Sequence, residues 1–355
     1  MKRGYYIGLD AHKLTCEFAV VRENGRLVQR VSCRTAIDQL AAFLKSIPRP
    51  RYVVMEEGPM ADWLWRNLQC FADGFTVCDP FRNQLIAKDG DKDDPIDAGK
   101  LAELLRGGFV KAVHHPESLE QALFKQHVQL YHDRVRHRVA ESHRVSSLLR
   151  RHGVMVRASG FGDAEQRAKV LDQLPKNTTL REDVNLLWQA FDAAVAQENG
   201  MRRRLQQQAK SNDVISRFAE VPGIAWIRAA TIYVFLDTPW RFRSKAALWK
   251  YMGIGLERRT SGSGPVQLQV PKRVNRLLKS TILGAAKTAA ALEDNPFAVQ
   301  YGRYIEAGLS KRLARRSVAR GMAATLWGLW KNGSAYRSDW VGVAAAAMRA
   351  AEVSL

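Results

Sequence analysis

Residues 5–33 read YYIGLDAHKLTCEFAVVRENGRLVQRVSC, and this stretch decides the fold class. Apolar and polar residues alternate along it, which is typical of strands that bury one face. The tripeptide ENG at 23–25 is a turn signal between two such runs. The stretch therefore predicts a β-hairpin with room for a third strand.

The next segments alternate between helix and strand patterns. Residues 35–47 (TAIDQLAAFLKSI) and 61–72 (ADWLWRNLQCFA) have helical periodicity, whereas 51–58 (RYVVMEEG) and 74–80 (GFTVCDP) are typical of short buried strands. Strands that first follow one another and then alternate with helices favour a mixed sheet with helices packed on it. We therefore expect an α/β domain with an RNase H-like fold.

The remainder of the chain has a helical texture. Apolar residues recur at helical spacing among many charges at Leu119, Leu123, Leu130, Val135 and Val139. This pattern predicts two long helices that pack as a coiled-coil-like hairpin, which serves either as a linker or as a dimerisation arm. A mostly helical unit with a Gly/Ser-rich loop and two later helices follows. The expected divisions are 1–115, 116–210, 211–335 and a C-terminal tail at 336–355.

Length and composition limit the function classes. A chain of 355 residues is too long for one ordinary core, and it has no apolar run of about 18 residues and no signal peptide. We therefore expect a cytoplasmic protein with no membrane partner. The four cysteines, Cys16, Cys33, Cys70 and Cys78, lack C-x-x-C spacing, so we expect reduced structural thiols.

Charge is unevenly distributed along the chain. Residues 1–115 hold 17 Lys and Arg against 15 Asp and Glu, whereas residues 116–355 hold 38 against 20. Basic side chains that neutralise phosphates release condensed counterions, so such an excess favours a nucleic acid partner.

Four carboxylates occur where strands end or a helix begins. Asp10 and Glu56 end strand patterns, and Asp94 and Asp97 lie three residues apart at a helix start. Each also has an ordinary structural interpretation, as a turn residue, an exposed edge or a helix-start acid. Together they predict a Mg²⁺ site, because hard cations prefer oxygen ligands. Successive side chains on a strand point to opposite faces, so only one of Glu56 and Glu57 can meet Asp10 at the metal.

These acids lie in motifs that resemble a known family. GLDAHK at 8–13, VVMEEGP at 53–59 and KDDPIDAGKLAELL at 92–105 are similar to three segments of the DEDD-type transposases of bacterial insertion sequences, the insertion-sequence 110 family. The resemblance implies a RuvC-like catalytic domain whose four metal ligands are Asp10, Glu56, Asp94 and Asp97. Gly58, Pro59 and Asp93 depart from the usual threonine and glycine pattern but leave the four acids intact.

Residues 218–289 are similar to the family's C-terminal transposase domain. Within them, VPGIAWIRAATI at 221–232 resembles half a helix-hairpin-helix, a device that offers backbone N–H groups to phosphate. Ala225 replaces the second glycine usual there, which leaves phosphate binding and a plain helical turn equally open.

A glycine-rich loop, RRTSGSGP at 258–265, follows. Its glycines allow close backbone approach, and Arg258 and Arg259 can bind phosphate, although a plain flexible loop has the same composition. The resemblance implies that Ser261 is the nucleophile, with Ser263 as the second candidate. Val274 replaces a glycine that the family usually has.

Further basic residues fall at helical intervals and are either a solvated face or phosphate contacts. The predicted nucleic-acid-binding set, besides Arg258 and Arg259, is Lys272, Arg273, Arg276, Lys279, Lys311, Arg312, Arg315 and Arg316, and Arg320 continues its spacing. Leu309, Leu313, Met322 and Leu326 form a predicted buried stripe beside the last of these.

The resemblance implies a DNA recombinase that moves an insertion element through a serine-linked intermediate. Its partners would be donor and target DNA, a structured noncoding guide RNA and further copies of the chain, as a dimer or tetramer. Serine and acids on distinct domains suggest an active site assembled from two subunits. Two alternatives stay open: a metal-dependent, structure-selective nuclease that hydrolyses DNA, and a nonenzymatic nucleic-acid-binding protein with a decayed site.

Overall fold

The computed structural model describes most of the chain. The described residues are 3–80, 94–116, 118–176, 178–259, 267–269, 271 and 274–337, with the backbone alone at 94–96, 257–259 and 267–269. The chain divides into two compact units, Met1–His115 and Pro116–Leu355. The tail predicted at 336–355 lies outside the described residues except for its first two. No helix in the described parts is both long and apolar enough to cross a membrane.

The first unit is built on a mixed five-stranded sheet. Its strands are β1 (Tyr5–Ala11), β2 (Thr15–Arg22), β3 (Leu27–Arg34), β4 (Arg51–Glu56) and β5 (Gly74–Cys78). The spatial order is β3-β2-β1-β4-β5, with β1, β2 and β3 antiparallel and with β4 parallel to both β1 and β5. The mixed sheet predicted from the sequence is confirmed, including the third strand.

Helices cover both faces of this sheet. They are α1 (Ile37–Ser46), α2 (Ala61–Leu68) and α3 (Asp94–Arg106). Ile7, Leu9 and Met55 point to the face where α1 and α2 supply Leu44 and Leu64 to one core. The alternate strand positions point to the other face and meet α3, because successive side chains on a strand lie on opposite sides.

Gly8 sets the distance between β1 and α3. A Cβ atom at this position would lie 1.8 Å from the backbone oxygen of Ala98 and 2.8 Å from the nitrogen of Ala102. The backbone of the helix therefore rests directly on the strand, and only glycine allows that approach.

The far end of α3 fixes its direction. The Arg106 Nη1 atom donates to the backbone oxygen of Glu23 at 3.3 Å, in the turn after β2. That turn lies near the start of β1, since Tyr5 pairs with Arg22. The helix consequently runs antiparallel to β1, and its first turn lies toward the carboxyl end of the strand.

Replacing Gly8 by alanine should separate α3 from the sheet. We expect Gly8→Ala to lower the free energy of unfolding by at least about 2 kcal/mol, because the added methyl group must displace helix backbone. Urea unfolding and hydrogen exchange of residues 94–106 would measure this. Gly58→Ala is the control, since a Cβ there meets nothing within 4 Å. Equal stability of the two variants would contradict this account of the contact.

The second unit begins with a helical hairpin. Its helices are α4 (Leu119–Arg151), the short α5 (Ala164–Asp172) and α6 (Thr179–Lys210). The two long helices were predicted, and α5 between them was not. Glu198 of α6 is 3% exposed and accepts hydrogen bonds from Arg138 of α4 and Arg202 of its own helix. This buried carboxylate joins the two long helices.

The apolar stripe predicted on α4 is only partly correct. Leu119, Leu123, Leu130 and Val139 are exposed, and Val135 is half-buried against the core. The buried stripe instead comprises Ala122, Val128, Tyr131, Val145 and Leu149. On a helix this rich in charge, apolar side chains occur on two faces, and only one of them packs.

The rest of the second unit is mainly helical. Its elements are α7 (Asp213–Ala219), α8 (Trp226–Leu236), α9 (Lys245–Tyr251), β6 (Glu257–Arg259), β7 (Gln267–Gln269), α10 (Arg276–Ala289), α11 (Pro296–Glu306) and α12 (Lys311–Asn332). Within the described residues, three helices follow the β6–β7 hairpin, whereas two were expected. In the predicted stripe, Met322 and Leu326 are buried as expected, but Leu313 is 47% exposed.

Candidate functional site

Asp10 and Glu56 lie near the carboxyl ends of two neighbouring parallel strands, β1 and β4. Leu9 is the register partner of Met55 across the parallel pair of β1 and β4, so the next residue of each strand is an acid. Asp10 is half-buried and Glu56 is exposed. Adjacent strands lie about 5 Å apart, so the two carboxylates start from neighbouring backbone positions.

Both acids belong to the face covered by α3. Asp10 is two residues from Gly8, which meets α3, and Glu56 is two residues from Val54, which packs with Leu101 of α3. Glu57 lies beyond the end of β4, and its backbone N–H donates to the oxygen of Cys78 at 2.8 Å. The observed register therefore supports Glu56 as the residue that shares a face with Asp10.

The start of α3 supplies the other two acids. Asp94 is the first residue of the helix, and its side chain lies outside the described atoms. The Asp97 carboxylate is half-exposed, and its Oδ1 atom lies 3.7 Å from Lys100 Nζ. Because α3 runs antiparallel to β1, its first turn lies toward the strand end that carries Asp10.

Two further side chains beside Asp10 were not singled out from the sequence. His12 Nε2 lies 3.1 Å from Asp10 Oδ2. Glu17 is the register partner of Asp10 on β2 and is half-buried. Paired residues of antiparallel strands point to the same face, so Glu17 is a further carboxylate on the α3 face. The alternation in TCEFAVV, read together with the hairpin, carries the signal for Glu17.

The chemistry of these donors fits a hard divalent cation. Among the side chains that the structure describes, no three Asp, Glu, His or Cys groups converge closely enough to hold a metal ion. The Asp94 carboxylate, a predicted ligand, is not among those side chains. Apart from His12, the candidate donors near the strand ends are carboxylate oxygens. Mg²⁺ prefers this type of ligand.

None of the four cysteines forms a disulfide. Burial raises the pKa of Cys16, which points to the face opposite Asp10. A buried thiol with a raised pKa is a poor nucleophile and a poor metal ligand.

The predicted serine loop lies between β6 and β7. These strands pair antiparallel, with Arg259 opposite Gln267, so residues 260–266 connect them. Ser261 and Ser263 lie outside the described residues, as do Lys272 and Arg273. Only the backbone is described for Arg258 and Arg259, so these six predicted site residues stay predictions.

The turn between α7 and α8, where the sequence resembles half a helix-hairpin-helix, packs closely against α10. Gly223 has φ of +82°, and a Cβ there would lie 2.4 Å from the backbone oxygen of Ala285 in α10. Arg228 Nη1 donates to the oxygen of Gly223 at 2.6 Å and to Thr288 Oγ1 at 2.9 Å. The turn borders an open pocket of about 650 Å³, and Ala225 provides no side-chain cap to α8.

The described members of the predicted basic set lie on two helices. Arg276 is exposed and Lys279 half-buried on α10. On α12, Lys311 and Arg312 are exposed, and Arg315 and Arg316 are half-buried. Arg320 differs from these, because its Nε atom donates to the backbone oxygen of Ile254 at 2.9 Å. It is therefore a structural contact of the fold.

Two family models and one known transposase match parts of this chain. A family model of DEDD transposases of IS110 elements matches residues 7–153, and the model described as transposase IS116/IS110/IS902 family matches residues 215–301. The transposase for insertion sequence element IS1111A of Coxiella burnetii (strain RSA 493 / Nine Mile phase I) is 21% identical over 292 residues. These cover 81% of this chain and 78% of that protein.

A RuvC-like sheet with acids at its edge, followed by a helical domain, defines a DNA-processing enzyme of the DEDD transposase class. The chain belongs to the IS110 family of transposases. Its activity is therefore DNA recombination in the transposition of an insertion sequence, with DNA as substrate.

Paired substitutions at the end of β4 test the register at the acid edge. We expect Glu56→Gln to lower DNA cleavage by a factor of about 100 or more, because it removes a charged oxygen ligand from the face shared with Asp10. Glu57→Gln keeps that ligand and should change the rate by less than about threefold. Single-turnover cleavage at saturating metal measures both, and the opposite ranking would place the ligand one residue later.

Proposed function

We propose that this transposase cleaves and rejoins DNA strands through an intermediate linked to Ser261, with Mg²⁺ held by Asp10, Glu56, Asp94 and Asp97. The observation that carries the proposal is the contact of α3 with Gly8, which directs the acid-bearing end of the helix toward the strand end at Asp10. The family match, which spans the segments that hold all five residues, supports it further.

The acids have a defined task on this proposal. When bound, Mg²⁺ supplies charge neutralisation and polarises the phosphate that reacts. Asp10 and Glu56 on the strands, with Asp94 and Asp97 on the first turn of α3, would hold the ion. Without a cation they would repel the DNA phosphate, because carboxylates and phosphates carry charge of the same sign.

The serine conserves the energy of the phosphodiester bond. The Ser261 Oγ atom attacks phosphorus and forms a new P–O bond, while the bond from phosphorus to one sugar oxygen breaks. The serine hydroxyl loses its proton and the departing sugar oxygen gains one. One phosphodiester replaces another, so a sugar hydroxyl of a second strand can reverse the step without an external energy source.

Partner selection follows from the family resemblance. The proposed partners are donor and target DNA and a structured guide RNA that selects their sequences. The chain itself is proposed to form a dimer or a tetramer and to act in the bacterial cytoplasm. Strong positive charge in residues 116–355 supports polyanion binding of either kind. The sequence offers no dedicated base-reading module, which favours a partner that reads sequence by base pairing.

A metal-dependent nuclease is the second candidate, because the acid edge alone is sufficient for hydrolysis. In that case water takes the place of Ser261, and the products are free ends with no protein–DNA adduct. The two candidates therefore differ in a covalent species that denaturing gels can detect.

Substitution of the serine should remove that species. We expect Ser261→Ala to abolish the adduct formed on a nicked suicide substrate while DNA binding stays within about twofold of the wild type, because only the attacking oxygen is lost. Denaturing electrophoresis and mass spectrometry of the modified peptide provide the measurement.

Ser263→Ala is the matched control, since it removes an identical hydroxyl from the same loop. An adduct that maps to Ser263 would move the nucleophile by two residues. Hydrolysed ends without any adduct in the wild-type protein would favour the nuclease.

If RNA from the element acts as a guide, the protein should bind it in preference to other RNA. We expect RNA transcribed from the element's noncoding flank to bind at least about tenfold more tightly than scrambled RNA of equal length at physiological salt, because shape and unpaired bases are recognised besides phosphate charge. Filter binding at several salt concentrations provides the measurement. Equal affinity for both RNAs would contradict a guide role and leave the cleavage proposal unaffected.

A further inference from the structure

Three arginines form a row along α12. Arg312, Arg316 and Arg320 are spaced four residues apart, so they lie on one side of the helix, about 6 Å from each other along its axis. The opposite side packs into the core through Val318, Met322 and other apolar residues. We call these three residues the arginine row.

The last member of the row holds the base of the β6–β7 hairpin. Arg320 Nε donates to the oxygen of Ile254, which lies three residues before β6 begins. In return, Trp249 Nε1 donates to the backbone oxygen of Arg320 at 3.0 Å. This part of α12 is therefore attached to the backbone that leads into the hairpin.

Arg316, one turn earlier, lacks the partners that such a position ordinarily has. Its Nε atom is buried and makes no hydrogen bond, and no carboxylate within the described residues lies within 4 Å of its guanidinium. Burial, together with the positive charges of Arg320 and Arg312, lowers its pKa. A cation that is partly desolvated among other cations is unfavourable until an anion joins it.

Other partly buried arginines of the same unit differ in this respect. Arg138 and Arg202 share the carboxylate of Glu198, and Arg167 makes a bidentate pair with Asp192. Each of these arginines therefore has a carboxylate partner, and Arg228 and Arg320 have backbone oxygens as acceptors. Arg316 retains its donors for a ligand from outside the chain.

We propose that Arg316, with Arg312 one turn away, binds a backbone phosphate of the DNA strand at the base of the β6–β7 hairpin. Planar guanidinium groups match phosphate oxygens with two parallel hydrogen bonds, and a phosphodiester supplies the negative charge that the arginine row lacks. The choice of DNA over RNA rests on the proposed function, because the hairpin leads to the proposed nucleophile.

Binding can be measured apart from cleavage. The probe is a fluorescein-labelled 40-base-pair duplex that contains the junction of the element end with flanking DNA, titrated with the full chain in EDTA at several KCl concentrations. We expect Arg316→Met, which keeps the aliphatic stem, to weaken binding about tenfold. It should also reduce the slope of log K against log salt by about one, as loss of one phosphate contact requires.

Arg303→Met is the matched control, because Arg303 is exposed on the neighbouring α11 and its substitution removes the same charge. It should change affinity by less than about twofold. Arg316→Lys keeps the charge but loses the paired donors, so it should bind with intermediate affinity and the wild-type salt slope. Thermal melting of each variant shows whether the fold is retained.

Wild-type affinity and slope for Arg316→Met would overturn the proposal, as would equal losses for Arg303→Met. A loss confined to the element's RNA, with duplex binding unchanged, would also overturn it, because the phosphate would then belong to RNA. If Arg316→Met melts early, the lysine variant decides: a wild-type affinity there contradicts the paired contact. Failure of the Ser261 adduct experiment affects none of these readouts.

Discussion

The close contact between Gly8 and α3 is the constraint on which the first unit depends. A helix that packs through side chains lies about 10 Å from a sheet, whereas α3 brings its backbone into contact with the strand itself. Small residues make this possible on both sides, since Ala98 and Ala102 face Gly8 and Ala19 pairs with it on β2. With the helix so close, its first turn, which carries Asp94 and Asp97 in the sequence, lies toward the strand end at Asp10. A larger residue at position 8 would move every acid of the helix away from Asp10.

The two units also differ in their net charge. The first unit is nearly neutral, whereas the second has a large positive excess and pairs some of its partly buried arginines with carboxylates, as at Glu198 and Asp192. Glu198, at the interface of α4 and α6, illustrates the cost of the alternative: removal of this carboxylate would leave Arg138 and Arg202 unpaired beside a buried position, which is strongly unfavourable. Arg316 differs from these two arginines, because no carboxylate of the described residues lies within 4 Å of its guanidinium.

Much of the sheet was predictable because strand alternation is a local signal. The pattern in residues 5–33 predicted β1, β2 and β3. The family resemblance selected Glu56, and the strand register puts this residue on the α3 face. Helix faces were harder to assign. On α4, leucines at 119, 123 and 130 are exposed while Ala122 and Val128 are buried, since tertiary packing and not hydrophobicity alone selects the face.

The start of α11 did carry a signal, because Asn295 caps the helix and Pro296 occupies its first position. The approach of α3 to Gly8 depends on distant residues, and no local pattern encodes it.

The candidate metal-binding acids lie in the first unit, whereas most of the positive excess lies in the second. This distribution affects the binding of a DNA phosphate at the acids. Two unit charges 5 Å apart repel by about 0.8 kcal/mol in water and by more in a less polar site, so several carboxylates together oppose the approach of DNA. The Lys and Arg residues of the second unit attract the same polyanion, and this attraction extends over a Debye length of about 8 Å. On the proposed function, DNA binding then draws on the basic unit, and the metal is needed where phosphorus is attacked. The same division explains why Arg316 is left without a carboxylate: an internal partner would cancel the attraction at the position where a strand must be held.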